Sequence, residues 1–233
     1  MGGKMRYLVV AAHPDDEALG AGAFIHRVSK NGNEVYVCLL SHWSPTRDDN
    51  LEEGIKKSHD ILGVKKTYVG DFGCMRFKDA DHHEIVRFIE ACIKDCRPEV
   101  IITHHPGDIH IDHDVTNECC LEAARLPQRQ LWGKMEDELV FRIKKILLME
   151  VPSSTDWGFN TKTAFIPNEF VEVSEEDVDA KIRAIGVYKE VVRKPPHPRS
   201  EKSIQALATV RGSQCGILCA EAFQQIFGLE VSE

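Results

Sequence analysis

The sequence predicts an α/β protein in which a mostly parallel sheet is flanked by helices and the active site lies at the carboxyl ends of the strands. Three observations carry this. Apolar runs rich in β-branched residues, such as Tyr7-Leu8-Val9-Val10-Ala11-Ala12 and Glu34-Val35-Tyr36-Val37-Cys38-Leu39-Leu40, alternate with helical patterns. The first two runs frame a helix within about 40 residues, which makes a βαβ unit and hence a parallel pair. Two clusters of His and Asp follow directly on strand ends, where open α/β sheets bind ligands.

His13-Pro14-Asp15-Asp16-Glu17 follows the first strand and places one imidazole beside three carboxylates. Ala18 to Ile25 reads as a tightly packed helix containing Gly20 and Gly22. These glycines fall too late to cradle a pyrophosphate, so the sheet is Rossmann-like without the dinucleotide fingerprint. Asn31-Gly32-Asn33 turns the chain into the second strand. The loop from Ser41 to Asn50, with Trp43 and Arg47, lies on the presumed ligand side. Leu51 to Leu62 has a helical stripe closed by Gly63, and Lys66 to Gly70 is a short strand. His83 to Arg97 is a helix ended by Pro98, followed by the buried strand Glu99 to Thr103.

That strand opens into His104-His105-Pro106-Gly107-Asp108-Ile109-His110-Ile111-Asp112-His113-Asp114, with helical spacing resuming at Val115. A parallel sheet would bring both clusters to one edge. Capping alone explains an acid or two at either place, but two clusters at equivalent positions point to one metal-centred site. Lys145 to Met149 and Phe170 to Val173 are further strands, and Ser174-Glu175-Glu176-Asp177 starts a helix. The segment 194–200 holds three prolines and cannot be regular; its Arg199 is a candidate ligand contact. A helix through Ile204 and Arg211 precedes a last apolar stretch ending at Glu221-Ala222-Phe223.

The 233 residues suit one domain, 1–233, with 150–233 as a candidate smaller lobe. An apolar fraction of 42% with 28% charge suits a soluble protein with a real core, and the net charge of -8 without a basic block excludes a nucleic-acid binder. No apolar run reaches membrane-span length and no signal peptide is evident, so a cytoplasmic location is expected. The eight cysteines lack a C-x-x-C and read as reduced packing residues. There is no internal repeat. Exposed loops at one sheet edge leave room for a neighbouring subunit, so a homo-oligomer is compatible.

Two His and one carboxylate suit Zn²⁺, with Fe²⁺ the competitor because both accept N and O ligands. His13, Asp16 and one His of the second cluster would hold the ion and leave a position for water. Asp15 is placed to take the proton from that water. His110, kept charged by Asp112, suits an oxyanion partner. The chemistry is hydrolysis of a carbonyl or similar electrophile.

Ala12-His13-Pro14-Asp15-Asp16-Glu17 followed by His110-x-Asp112-His113 resembles the LmbE-like (PIG-L type) metal-dependent de-N-acetylases. Arg47 before an acidic helix ending Leu62-Gly63-Val64, and Ala220-Glu221-Ala222-Phe223 near the C-terminus, extend the likeness over almost the whole chain. The resemblance implies that His13, Asp16 and His113 bind zinc, that Asp15 is the general base, and that His110 stabilises the oxyanion with Asp112 orienting it. It implies an amino-sugar substrate, N-acetylglucosaminyl in type, and more weakly substrate contacts from Arg47 and Glu221; by residue type and loop position, Trp43 and Arg199 would suit a sugar ring or an anionic group. Ile111 stands where many members have Pro. Two alternatives remain: an amidase cleaving a larger acyl group, and a non-catalytic nucleotide- or sugar-binding module.

Overall fold

The structure, a computed structural model, describes residues 4–42, 51–127, 141–159, 163–188 and 190–230. Its strands are β1 (Arg6–Ala11), β2 (Glu34–Leu39), β3 (Lys66–Val69), β4 (Val100–His104), β5 (Lys145–Met149), β6 (Glu169–Glu172) and β7 (Ala220–Gly228). The helices among the described residues are α1 (Asp16–Lys30), α2 (Leu51–Leu62), α3 (His82–Cys96), α4 (Ile111–Ala123), α5 (Glu175–Gly186) and α6 (Glu201–Cys215). The strands form one sheet in the order β3-β2-β1-β4-β5-β7-β6. The first five are parallel, and β7 runs antiparallel to both β5 and β6.

The sheet is buried on both faces, which is why its strands read as continuous apolar runs. In β1, Val9 and Ala11 enter the core beneath α1, α2, α5 and α6, while Leu8 and Val10 enter the core beneath α3 and α4. The chain leaves β1 towards β2 on one side and returns to β4 on the other. The carboxyl ends of β1 and β4 are therefore the switch point of the sheet, and both clusters lie there.

Helix α1 begins at Asp16, so Asp16 and Glu17 are its first turn, as the sequence reading has them. Two boundaries differ from that reading. The last stretch is a nine-residue strand, β7, which with β6 extends the same sheet. Helix α4 begins at Ile111 with His110 as its N-cap, so Asp112 and His113 ride on a helix and not on a loop.

The glycines of α1 are explained by close approach. A Cβ on Gly20 would stand 2.5 Å from the Met149 sulfur of β5, and one on Gly22 would stand 2.9 Å from Lys181 Cγ of α5. At Ala21 the helix departs from helical geometry (φ -142°, ψ 15°), and the Phe24 N–H nearby donates to Glu221 Oε2 at 2.6 Å. Among the described residues no helix is long and apolar enough to cross a membrane.

Candidate metal centre

The end of β1 delivers His13, the first turn of α1 delivers Asp16, and the first turn of α4 delivers His113. Asp16 Oδ2 lies 3.2 Å from His13 Nδ1 and 3.2 Å from His113 Nε2. Ligands at about 2.0–2.1 Å around a tetrahedral ion stand close to that far apart. The other ring nitrogens are both held by carboxylates. His13 Nε2 donates to Asp112 Oδ2 at 2.9 Å, and His113 Nδ1 donates to Asp108 Oδ2 at 3.0 Å. With a cation between them and Asp16, these bonds would leave the lone pairs of both rings on the nitrogens beside Asp16.

The groups of three whose donor atoms all lie within 4.8 Å of one another, among the described residues, are His13/His110/His113, Asp16/His104/His113 and His13/Cys74/Asp112, each holding one or two of His13, Asp16 and His113. Two of these sets have members already committed. His104 Nε2 accepts the Ala12 N–H at 2.9 Å, and Asp112 accepts the Met75 and Phe77 N–H groups as well as His13.

Electrostatics say that the pocket is made for a cation. Asp15, Asp16, Glu17, Asp108 and Asp112 are all buried, and buried charges need opposite charge nearby. Burial opposes ionisation of Asp16, yet His113 and His13 hold its carboxyl well below the usual range. Burial likewise opposes charge on His113, but Asp16 and Asp108 outweigh it and raise its pKa to about 9. Without an ion, protons on the imidazoles supply the positive charge that the carboxylates demand.

His110 differs. Its Nδ1 accepts the Asp112 backbone N–H at 3.2 Å as the cap of α4, which leaves the proton of the neutral ring on Nε2. Burial lowers its pKa and the neighbouring His113 and His13 lower it further. Both features favour a neutral ring, where the sequence leads one to expect an imidazolium kept charged by Asp112. The Asp112 carboxylate orients His13, not His110.

Asp15 sits at φ 115°, ψ -28°, a conformation that costs a non-glycine residue on the order of 1–3 kcal/mol. Met75 and Ser153, also at positive φ, touch the site as well: Met75 through its N–H on Asp112, Ser153 through its hydroxyl, which accepts from Arg199 Nε at 2.6 Å. Arg199 Nη1 then lies 3.5 Å from Asp15 Oδ2, so the proline-rich segment brings its arginine to the site. Glu221 is not brought there. It is buried, its Oε1 pairs with Lys181 Nζ at 2.5 Å, and its other oxygen serves α1, so it is an internal ion pair and not a substrate contact. Trp43 and Arg47 lie outside the described residues.

Sequence reasoning missed Asp108, which stands in the second cluster without a signal marking it from its neighbours. It also missed Ser154 and Thr155, whose hydroxyls both donate to Asp108. Nothing in the residues after β5 announces that contact.

The family profile described as GlcNAc-PI de-N-acetylase (PIG-L) matches residues 8–124, from β1 to the end of α4 and so across both clusters. The chain belongs to this family. Among its PIG-L relatives, the 1D-myo-inositol 2-acetamido-2-deoxy-alpha-D-glucopyranoside deacetylase of Streptomyces avermitilis is 30% identical over 158 residues, 52% of this chain and 53% of that protein. The chain thus spans about half of that relative. The diacetylchitobiose deacetylase of Thermococcus kodakarensis is 26% identical over 96% of this chain and 84% of its own. A conserved protein of Thermus thermophilus superposes with a TM-score of 0.74 at 22% identity, covering 97% and 96% of the two chains. GalB, the 4-carboxy-2-hydroxymuconate hydratase of Pseudomonas putida, superposes with a TM-score of 0.72 at 20% identity over 98% and 99%. Those two likenesses concern the fold, and the second shows that the fold alone does not choose a reaction.

Proposed function

We propose that this protein is a zinc-dependent hydrolase that removes the acetyl group from an N-acetylamino sugar of N-acetylglucosaminyl type. The observation that carries the reading is Asp16 Oδ2 standing 3.2 Å from one nitrogen each of His13 and His113, both rings oriented by their own carboxylate. His13, Asp16 and His113 would hold the ion. Zinc is taken as the ion because two imidazoles and one carboxylate with an open fourth position make up a common catalytic zinc set, one that Fe²⁺ also accepts. When bound, it acidifies water and polarises the amide carbonyl.

The chain's own groups supply the rest. Asp15 takes the proton as the water oxygen adds to the carbonyl carbon, then returns it to the nitrogen as the C–N bond breaks, giving acetate and the free amine. His110 donates its Nε2 hydrogen to the developing oxyanion. Arg199, beside Asp15, is within reach of a polar group of the substrate. The exposed side chains of Met75 and Ile109, of Ile111 at the start of α4, and of Trp157 after β5 would border a sugar ring or its aglycone. The activities named for the relatives, on an inositol glycoside and on diacetylchitobiose, agree with this substrate class.

Acetate release from a panel of N-acetylglucosaminyl compounds tests the proposal. Activity that is lost on chelation, restored by zinc and reduced by at least about 100-fold in Asp15→Asn is the expected outcome. A metal-free protein that hydrolyses none of them sinks it. Preference for longer acyl groups in the same assay would favour the related amidase.

A further inference from the structure

Glu17 is fully buried, carries a carboxylate, and takes no part in the chemistry above. A first-turn acid that merely complements the helix dipole would face water. Glu17 instead collects three donors from three parts of the chain. Its Oε2 accepts the Asp15 N–H at 3.0 Å. Its Oε1 accepts from His59 Nε2 of α2 at 3.1 Å and from the Tyr188 hydroxyl, just past α5, at 3.3 Å. His59 is itself buried, and its Nδ1 lies 2.6 Å from the Thr67 hydroxyl of β3.

The residue at the end of this chain of contacts is Asp15, with its positive φ. A strained conformation persists only where its surroundings over-determine it. Here the Asp15 C=O accepts from Leu19 N at 2.8 Å and its N–H is drawn to Glu17, so both ends of the peptide are held. The connection cannot relay a proton, because its last link is a main-chain N–H. What it can transmit is position.

We propose that Glu17 and His59 are positioning residues for the general base: Glu17 pins the Asp15 backbone in its positive-φ conformation, and His59 fixes the Glu17 carboxylate. The proposal rests on the reading of Asp15 as the base. His59 orients Glu17 by donating through Nε2 while accepting from Thr67, so a glutamine amide at position 59 can replace that donation and an alanine cannot.

Steady-state deacetylation, zinc content and thermal unfolding of Glu17→Ala, His59→Ala, His59→Gln and Asp15→Asn test it, with a crystal structure of metal-free Glu17→Ala. Glu17→Ala is expected to lose about 100-fold in kcat with KM nearly unchanged and zinc still bound, as for a reacting group displaced by about 1 Å. Asp15 should relax to negative φ in its crystal structure. His59→Ala should lose about tenfold in kcat, and His59→Gln should recover most of it. Should Glu17→Ala fail to fold, the His59 pair carries the test alone. The proposal is overturned if kcat stays near the wild-type value in the alanine variants, if the loss falls on KM or zinc content, or if Asp15 keeps its φ. Asp15→Asn separates the two readings: full activity there removes the base assignment itself, whereas an inactive Asp15→Asn beside an active Glu17→Ala removes only the positioning.

Discussion

At Asp108 one carboxylate serves two histidines. Oδ2 receives His113 Nδ1 and the Thr155 hydroxyl, while Oδ1 receives the His110 N–H at 2.8 Å and the Ser154 hydroxyl. It thereby sets the ring of one metal-ligand candidate and the backbone of the proposed oxyanion partner, His110. Asp108→Ala should weaken zinc binding by about 10–100-fold, read by competition with a chromophoric chelator. Asp108→Asn should be no milder. If its amide NH₂ turns to His113, Nδ1 must accept, the proton moves to Nε2, and the nitrogen facing Asp16 can no longer bind a cation. Wild-type zinc affinity in both variants would remove Asp108 from the site. A glance at the motif does not single it out from Asp112 or Asp114, since all three are aspartates in one short stretch of chain. Only the fold tells which histidine each one meets.

Helix α5 shows how an element is placed to support the site from behind. Ser174 caps it by accepting the Asp177 N–H, and Asp177 accepts in return from the Ser174 N–H at 2.8 Å. The same carboxylate meets His26 of α1 at 2.6 Å, which ties α5 to the helix that carries Asp16. Burial acts against its charge, but the Ser174 bonds and His26 outweigh that and lower its pKa. A lowered folded pKa means stability that is present above the unfolded value of about 3.9 and is lost as pH falls through the folded value. Asp177→Asn should cost about 1–2 kcal/mol at pH 7, and the gap to wild type should close as urea unfolding is followed below about pH 4. A gap that is constant with pH would mean that shape and not charge does the capping. The capping box is legible in Ser174-Glu175-Glu176-Asp177, because its signal is local. The partners of Glu221 are not, because Lys181 reaches it from α5 and the Phe24 N–H from α1, both far from it in the chain.

Over the whole molecule, what could be read from the chain is what repeats locally: apolar runs for the buried strands, Gly and Pro at the helix ends, and His and Asp on two strand ends. The start of α4 was hidden because Ile111-Asp112-His113 offers no apolar stripe, and β7 because its outer half is polar and half-exposed. The sheet order decides the rest, since it sets β1 beside β4 and so joins clusters about 90 residues apart at a switch point of the kind that binds ligands. His13 and Asp16 stand at the end of β1 and on α1, whereas His113 stands on α4 across the sheet. An ion shared by them would fasten the two helical layers to each other through the strand ends. Anything that binds only the folded state stabilises it by mass action, about 4 kcal/mol at a thousand times the dissociation constant. For a chain of this size that corresponds to roughly 10 °C in Tm. Stripping the purified protein with a chelator should therefore lower Tm by about that much, and adding zinc should restore it. His113→Ala should unfold at the same temperature with and without zinc. If zinc raises its Tm as it does that of the wild type, the ion is not held across the two layers by this set.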